Sequence, residues 1–329
     1  MGCFFLLLVN LLPSISLAQQ LHPLDVTNTS PVILVQGLPN SRSPEITESG
    51  GVAVGLVYEI TSNFTHQNSS QESLYFDGET TRVVLSLKTA MTRGVEVEVQ
   101  IPYYSHDGGF LDQFIIDWHN LFGLPQNGRD QVPNNQLKYF YEKNGETKLD
   151  FEVPASGVGD TQVIFAFDSG KNWLTKQDNL AFKTAIKLPT GDSAKLTGND
   201  AYAISAWLTG DVHTQWLSKQ GLVYYSLGAM WLPEGEVLQD QQRFWVWFGG
   251  FGSAIKVSER IVLQLQLDTH SPFYQGSDFV ELSGYALQLT LGGNLKFSKN
   301  LNLDIGVIED LNVHASPDVI FHFKLNGRF

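Results

Sequence analysis

The sequence predicts an all-β chain that closes into an antiparallel transmembrane β-barrel of about twelve strands, with one amphipathic helix in a long extracellular loop. Three observations predict this fold: the pattern of the chain's end, its repetition along the sequence, and the alternation of short and long connections. From Phe321 to Phe329, apolar side chains at odd positions alternate with polar ones at even positions, and only Gly327 departs from the pattern. Such a strand has one apolar and one polar face. An apolar face this hydrophobic, backed by a charged face, is typical of a lipid-facing barrel strand.

Residues 1–18 are predicted to be a secretory signal peptide. Phe4 to Leu12 are almost wholly apolar, and Ser16-Leu17-Ala18 has the small-x-small form of a cleavage site. No Lys or Arg precedes the apolar run, which departs from the usual signal pattern. The only cysteine, Cys3, lies inside this segment. The mature chain is therefore expected to have no disulfide and no cysteine-ligated metal.

The segment 19–49 is predicted to lie in the periplasm or in the barrel lumen. Its apolar stretch, Pro31 to Pro39, fits a periplasmic tether, a first half-strand, or a segment that enters the barrel from below. Eight strands enclose a space that side chains fill, and sixteen enclose open water. A barrel of about twelve strands therefore has room for a small plug.

Residues 50–329 are predicted to form the barrel. Alternation is clearest at 95–101, where Val and Ile alternate with Glu and Gln, and it recurs at 301–307. The same rule places strands near 51–64, 74–89, 94–104, 159–168, 178–188, 200–208, 219–232, 242–256, 259–268, 277–297, 300–309 and 317–329. The count is even, as a single-chain bacterial barrel requires.

The connections support this count. Alternate connections should be short periplasmic turns, and those near 89–94, 256–259 and 297–300 are tight. The connections near 65–73, 189–199 and 268–277 are longer and polar, as expected for extracellular loops, whereas those near 169–177 and 209–218 are longer than ideal for periplasmic turns. Within the strand 277–297 the parity of the polar residues changes, which predicts a β-bulge near Gly284.

Parity also predicts which side chains face the lumen. Polar residues alternate with apolar ones such as Val97, Leu263 and Leu265, so the polar set is expected inside and the apolar set toward lipid. The predicted lumen residues include Glu96, Glu98, Gln100, Lys183, Lys187, Gln264 and Gln266. Both signs of charge occur in this set. Ion pairs across the interior are therefore expected, and they would leave only a narrow path.

The longest connection, 105–158, is predicted to be an extracellular loop that contains the helix. Between Gly108-Gly109 and Gly123-Leu-Pro125, apolar residues recur at helical spacing. This stripe needs cover from the lumen mouth, the outer leaflet, a partner or the loop itself. We expect the helix to gate the mouth. The predicted gate residues are Phe114, Trp118 and Phe122, facing inward, and Asp117 and His119, toward the rim.

The sequence contains no clear catalytic or metal-binding pattern. The eight histidines show no paired metal spacing, and no phosphate loop or dinucleotide fingerprint is present, so no cofactor is expected. His270-Ser271 is the best lead for a rim hydrolase, but adjacent strand residues point to opposite faces. Glu309, Asp310 and Asp318 form an acidic set near the last hairpin, read either as turn residues or as a rim that binds cations or lipopolysaccharide. The net charge of −13 argues against a nucleic-acid partner.

Several patches together resemble a family of bacterial outer-membrane barrels known as domain-of-unknown-function family 3187. The patches are Ser30 to Pro39, Phe114 to His119 with Gly123-Leu-Pro125, Lys187 to Asp192, Asp268 to Pro272, Glu309-Asp310 and Pro317-Asp318. The resemblance spans nearly the whole mature chain. It implies an outer-membrane barrel but carries no assigned activity. Gly159-Asp160 and Leu188 to Asp192 also resemble segments of barrels that transport hydrophobic compounds. This analogy concerns the fold alone.

The expected function is a passive outer-membrane channel or transporter for a small apolar or amphipathic solute. One alternative is a barrel that scaffolds the surface or binds a partner through its long loop, and another is a rim lipid hydrolase. The expected partners are outer-membrane lipid, lipopolysaccharide, and the barrel assembly machinery, which would read Phe329. The predicted location is the outer membrane of a Gram-negative type of cell, reached by secretion.

Overall fold

A computed structural model of the chain describes residues 21–329, except 41–42, 48–49, 124–125, 127, 172–178, 217–218 and 312–314. The predicted signal peptide and the Leu124-Pro125 helix stop therefore lie outside the described residues.

The described residues form one antiparallel sheet and a few short helices. The strands are β1 (Val52–Asn68), β2 (Glu72–Thr92), β3 (Val95–Asp107), β4 (Lys138–Lys143), β5 (Glu146–Phe151), β6 (Ala155–Val158), β7 (Gln162–Lys171), β8 (Asn179–Lys187), β9 (Ala203–Trp216), β10 (Lys219–Trp231), β11 (Trp245–Lys256), β12 (Ile261–His270), β13 (Ala286–Lys296), β14 (Leu301–Asp310) and β15 (Val319–Arg328). The α-helices are α1 (Pro31–Leu34), α2 (Asp112–Phe122) and α3 (Val280–Ser283), and 3-10 turns lie at Arg129–Gln131, Ser193–Lys195 and Gln239–Gln241.

Twelve of these strands form the closed wall of a barrel, in the order β1, β2, β3 and then β7 to β15. The ring closes where β15 pairs with β1, from Val319 opposite Ser62 to Arg328 opposite Ala53. Closure leaves no strand edge in the wall, which is the condition for a sheet to span lipid. The predicted fold class and strand count are confirmed.

The other three strands, β4 to β6, extend the wall at one end. β4 pairs with residues 72–77 of β2, and β6 pairs with residues 103–106 of β3. The turn from β4 to β5 passes through Asn144 and Gly145, whose φ angles are 53° and 76°. An Asn-Gly pair is a strong signal for a tight hairpin, because both central residues of such a turn need positive φ. Residues 138–158, part of the predicted loop 105–158, therefore contain three short strands.

The predicted bulge near Gly284 is wrong. Residues Val280–Ser283 form the helical turn α3, whose last cap is Gly284, and β13 begins only at Ala286. The parity changes because a helical turn advances side chains by about 100° rather than 180° per residue. Polar Glu281 therefore belongs to the connection and not to the strand.

The two ends of the barrel differ in their connections. We call the end that carries both Val52 and Phe329 the lower end; Phe329 N donates to Val52 O there at 2.8 Å. Short turns join strands at this end, namely Thr92–Val95, Lys256–Ile261 and Lys296–Leu301. The upper end carries the long connections, including β4 to β6.

The two faces of the wall differ as parity predicts. In β12, Leu263 and Leu265 are 54% and 46% exposed on the outer face, whereas Gln264 and Gln266 are 5% and 0% exposed inside. Among the described residues, no helix is long and apolar enough to cross a membrane.

A pair of substitutions in β12 tests the position of the wall in lipid. Arg at Leu265, near the middle of the strand, should lower the free energy of unfolding by about 2–4 kcal/mol, because the charge would face the lipid midplane. Arg at Ile261, the first residue of the strand, should cost only about 0–1 kcal/mol at the interface. Urea unfolding in lipid vesicles measures both. Equal costs at the two positions would contradict the assignment of the outer face to lipid.

Candidate functional site

The N-terminal segment fills the barrel as a plug, which we define as residues 21–40 and 43–47. It starts at the lower end, where His22 Nε2 lies 3.4 Å from Asp304 Oδ2. It reaches the upper end, where Asn28 Nδ2 lies 3.0 Å from His270 Nε2. It then returns to the lower end, where Thr47 N donates to Glu96 at 2.7 Å, and continues into β1. The plug is therefore a hairpin with a rising arm, a tip and a descending arm.

The backbone of the rising arm is hydrogen-bonded to the wall at Leu24. Leu24 N donates to Gln266 Oε1 at 3.0 Å, and Gln266 Nε2 donates to Leu24 O at 3.1 Å, so one amide side chain satisfies both backbone groups. The Leu24 side chain fits a notch made by two wall glycines. A Cβ atom added at Gly292 would lie 2.8 Å from Leu24 Cδ1, and one at Gly306 would lie 3.4 Å away. Next to this notch, Asp25 forms an ion pair with Lys324.

The plug tip, residues 31–37, begins with the helical turn α1 and is anchored through its carbonyl groups. Lys187 Nζ donates to Val35 O at 3.1 Å, and Tyr274 OH donates to Val32 O at 2.7 Å. The carbonyl groups at a helix end have no partner within the helix. Lys187 of β8 and Tyr274 of the connection after β12 therefore supply the donors that this short helix lacks.

The Gln36 side chain lies at the centre of a buried amide network. Its Oε1 accepts from Asn199 Nδ2 at 2.9 Å, and its Nε2 donates to Tyr274 OH at 2.8 Å. Asn199 also donates to Gln242 Oε1 at 3.0 Å and accepts from Val237 N at 2.7 Å. Burial raises the pKa of Tyr274, so its hydroxyl stays neutral and remains a donor.

The anchor Lys187 is paired inside the barrel. It forms an ion pair with Asp160, and both side chains are buried. Asp160 also accepts from Gly191 N at 2.8 Å and from Asn199 N at 3.2 Å. The carboxylate thus fixes the ammonium group and the connection from β8 to β9 at the same time. Such a pair is tolerated in a dry interior because the remaining lone pairs are also satisfied.

Apolar side chains close the barrel above the tip. Val32, Ile33 and Val35 belong to one core cluster with residues of the upper strands and of the long connections. Its large members are Phe76, Tyr139, Tyr141, Phe151, Trp207, Phe248, Phe273 and Tyr274. We call this enclosure the tip chamber. The cap over it is built from β4, β5 and the connections that follow β8, β10 and β12.

All seven predicted lumen residues are buried and share the inner face of the wall. Lys183 Nζ donates to Ser43 O at 2.7 Å, and Gln100 Nε2 donates to Glu98 Oε1 at 2.8 Å. Tyr224 OH donates to Gln266 Oε1 at 2.9 Å. Four of the set, Lys183, Lys187, Glu96 and Gln266, bind the plug directly. Parity predicts their direction but not that their partner is the chain's own N-terminal segment.

The predicted gate is wrong, because α2 lies outside the wall. Leu111 and Ile115 pack against Val319 on the outer face of β15, and Phe114 meets Phe321 edge-to-face at 6.1 Å. Phe114 and Trp118 are 50% and 45% exposed. The physical reason is that the plug tip and the cap already occupy the mouth, while the outer wall offers apolar cover.

The other predicted gate residues do not meet at the mouth either. Asp117 accepts from Gln113 Nε2 at 2.9 Å on the polar face of the helix, and His119 is half-buried on the same helix. The side chain of Phe122 is outside the described residues.

Polar contacts fix this helix to the wall. Arg129 forms ion pairs with Asp112, the first residue of α2, and with Asp318 at 2.5 Å, and its guanidinium lies 4.9 Å from the centre of the Phe64 ring. Glu79 accepts from the backbone N–H groups of Phe110 and Leu111, where a carboxylate stabilises a helix N-terminus.

The three acidic rim residues have different hydrogen-bond and ion-pair partners. Asp318 binds Arg129, and Asp310 accepts from Ser316 Oγ at 3.1 Å. Glu309 is exposed on the outer face of β14. Their roles in this structure are local, and a shared cation or lipopolysaccharide site stays a prediction.

His270 and Ser271 do not form a nucleophile–base pair. His270 Nε2 accepts from Asn28, so Nδ1 carries the proton and donates to Ser271 O at 2.9 Å. The Ser271 hydroxyl oxygen accepts from Trp247 N at 3.0 Å. Both side chains are therefore structural: one holds the plug and the other holds the start of the connection after β12.

Sequence reasoning missed how the patches combine. Three of the patches meet at the plug: the patch 30–39 accepts a hydrogen bond from Lys187 of the patch 187–192, and Asn28, just before the patch 30–39, contacts His270 of the patch 268–272. The amide residues Asn28, Gln36 and Asn199 have no sequence signal, because Asn and Gln are common in polar loops. The one available signal was an apolar run bounded by prolines that lacked strand alternation.

The comparisons with known proteins agree with this architecture. The model of a family described as a protein of unknown function (DUF3187) matches residues 1–329, so the chain belongs to that family. Among curated proteins, none matches the chain. The COG4313 outer membrane channel from Pseudomonas putida F1 has a similar fold, with a TM-score of 0.56 and 13% identity over 87% of this chain and 98% of that chain.

Two further solved structures are more distant. The KdgM porin gives a TM-score of 0.42 at 8% identity, over 84% of this chain and 99% of that chain. The toluene transporter TbuX from Ralstonia pickettii gives a TM-score of 0.37 at 12% identity, over 86% of this chain and 90% of that chain. The likeness to the COG4313 channel, at 13% identity, shows the fold alone.

Removing the anchor ammonium should destabilise the closed barrel. Lys187→Met leaves the Asp160 carboxylate buried without its counter-ion, which should lower the free energy of unfolding by about 3–5 kcal/mol. The double variant Asp160→Asn/Lys187→Met removes both charges and should cost clearly less than the single change. Chemical unfolding of the three proteins gives the comparison. A double variant as unstable as the single one would show that the ion pair is not the reason.

The position of α2 can be measured through Trp118. Its fluorescence, taken as the difference between the wild type and Trp118→Phe, should be quenched by brominated phospholipid, because the side chain lies half-exposed on the outer wall. Quenching by aqueous acrylamide with no effect of the lipid quencher would place the helix away from the membrane surface.

Proposed function

We propose that the protein, as a member of the DUF3187 family, is an outer-membrane channel whose lumen is closed by its own plug and which passes a small apolar or amphipathic solute when the plug moves. The observation that supports this proposal is that side-chain hydrogen bonds and ion pairs hold the plug inside the wall. No strand of the described wall pairs with it along its length. A segment held in this way can be released without breaking the barrel.

The inner wall supports a removable plug. Gln264 Nε2, Gln288 Nε2, Thr290 Oγ1 and His322 Nε2 are buried and have no hydrogen-bond partner among the described residues. Movement of the plug would let water reach these groups and pair with them.

The orientation in the membrane follows from the connections. The upper end, with the cap and α2, would face the outside, and the lower end, with short turns, would face the periplasm. The terminal Phe329 is 80% exposed at the lower end, where assembly machinery could bind it. Lipid and the acyl chains of lipopolysaccharide would cover the outer wall and the exposed face of α2. A secretory signal in residues 1–18 would deliver the chain to this compartment.

A similar fold also occurs in a protein described as an outer membrane channel, which is a statement about that protein and gives support by analogy. Uptake would be downhill. The plug is short and the wall has twelve strands, which favours passive uptake over a large energy-coupled plug.

A non-transporting scaffold is the second candidate. The observation that favours it is the tip chamber, in which apolar packing closes the upper end. An enzyme is not favoured, because both ring nitrogens of His270 and the hydroxyl of Ser271 have structural partners.

A disulfide between plug and wall distinguishes the two candidates. Thr29 Oγ1 and Thr61 Oγ1 are 2.6 Å apart, so Thr29→Cys/Thr61→Cys should cross-link the rising arm to β1. In vesicles, uptake of a small apolar solute should fall to background when the pair is oxidised and return when it is reduced.

The single variant Thr29→Cys is the control, and its uptake should not respond to oxidation. Absence of uptake in the wild type, in the reduced double variant and in a variant that lacks residues 21–47 would favour the scaffold.

A further inference from the structure

We infer that the tip chamber is the binding site of the solute, and that the plug tip is a built-in ligand which the solute displaces. The solute would have an apolar body and one uncharged hydrogen-bond acceptor, such as a ketone. This inference rests on the proposed channel function and adds the site and the chemical class of the solute.

The lumen is most apolar around the plug tip. Most of the inner wall is polar, and the apolar clusters that hold Leu21, Leu24 and Val26 of the rising arm are small. Around the tip, aromatic rings enclose three aliphatic side chains: Val32, Ile33 and Val35 are 0%, 3% and 1% exposed. An alkyl or aromatic body could take the place of these side chains with little change in packing, since cores accept apolar groups of similar volume.

The direction of the hydrogen bonds around the plug tip indicates the polar group of the solute. Lys187 Nζ, Tyr274 OH and Asn199 Nδ2 each donate to an acceptor on the tip. Lys187 would keep Asp160 and Asn199 would keep Gln242, but departure of the tip would leave one buried hydrogen of each donor unpaired, which is unfavourable unless an acceptor replaces the tip. A hydrocarbon lacks that acceptor. Because Asp160 already neutralises Lys187, the chamber needs no anion, and an uncharged acceptor is sufficient.

Solute and tip would then compete for one place. A ligand shifts the equilibrium only if it binds the state in which the tip is withdrawn. The rising arm keeps its own contacts below the chamber, at the Gly292–Gly306 notch around Leu24. Displacement would therefore begin at the tip.

The test follows the accessibility of the tip in the full-length protein in lipid vesicles. The variant Cys3→Ser/Ile33→Cys carries a single thiol, which the closed chamber should shield from N-ethylmaleimide. Addition of 2-octanone should raise the labelling rate at least about tenfold and reach saturation, because the ketone occupies the chamber and keeps the tip out. n-Octane, which lacks the acceptor, should change the rate less than about twofold. Octanoate, a carboxylate with the same number of carbon atoms, tests whether the chamber prefers a charged acceptor.

Two controls sharpen this test. In Cys3→Ser/Leu24→Cys the thiol lies in the lower notch, and 2-octanone should raise its labelling much less than that at position 33, because displacement begins at the tip. Adding Tyr274→Phe to the Ile33→Cys protein removes one donor to the tip, so the rate without ligand should rise about two- to tenfold, and the further effect of the ketone should shrink.

The outcomes separate this inference from the proposed function. Equal effects of octane and 2-octanone, or an effect of octanoate alone, would overturn the assignment of an uncharged acceptor. No effect of any ligand, with redox-controlled uptake still present in the cross-linked variant, would overturn the chamber as the site while the channel stands. A saturable effect of the ketone without uptake would support the binding site and contradict the channel.

Discussion

The constraint on which the structure depends is the width of a twelve-stranded wall. Its lumen is too wide for inward side chains to fill and too narrow for a second domain. Polar groups inside it need partners, since an unpaired buried donor or acceptor is costly. The plug meets this requirement with backbone groups. It offers carbonyl oxygens to Lys183, Lys187 and Tyr274, and Gln266 satisfies both backbone groups of Leu24. Without the plug, the inner wall would need water along its whole length.

The large apolar cluster around the plug tip explains the rest of the architecture. An apolar tip at the end of a polar lumen requires an apolar cover, and the cap provides it through β4, β5 and three long connections. Because the cap and tip close the mouth, the amphipathic helix α2 has no place there. It packs instead on the outer wall, where Leu111 and Ile115 find the side chains of β15. The positions of plug, cap and helix are therefore parts of one packing solution.

The sequence predicted the parts of the fold that repeat. Alternation fixes the twelve strands and the direction of residues such as Gln266 and Lys187, because a strand has only two faces. It did not predict the place of the N-terminal segment. Pro31 to Leu34 form a single helical turn, and a single turn has no periodic signal. The destination of α2 could not be predicted either. Its apolar stripe required cover, but nothing in the pattern distinguishes the lumen mouth from the outer wall. The candidate site combines residues from the N-terminus, from Asp160 and Lys187, and from Tyr274, and such long-range contacts leave no local pattern.

One consequence follows from the connection between plug and wall. Only residues 48–51 separate the descending arm from the first residue of β1. A released plug therefore remains next to its own site, at an effective concentration of about millimolar or more. Reclosure would be a unimolecular event that needs no partner and does not depend on how much protein the membrane holds. A solute that opens the channel must compete with the tethered plug tip for the tip chamber. Such a channel would open at high solute concentrations and stay closed at low ones.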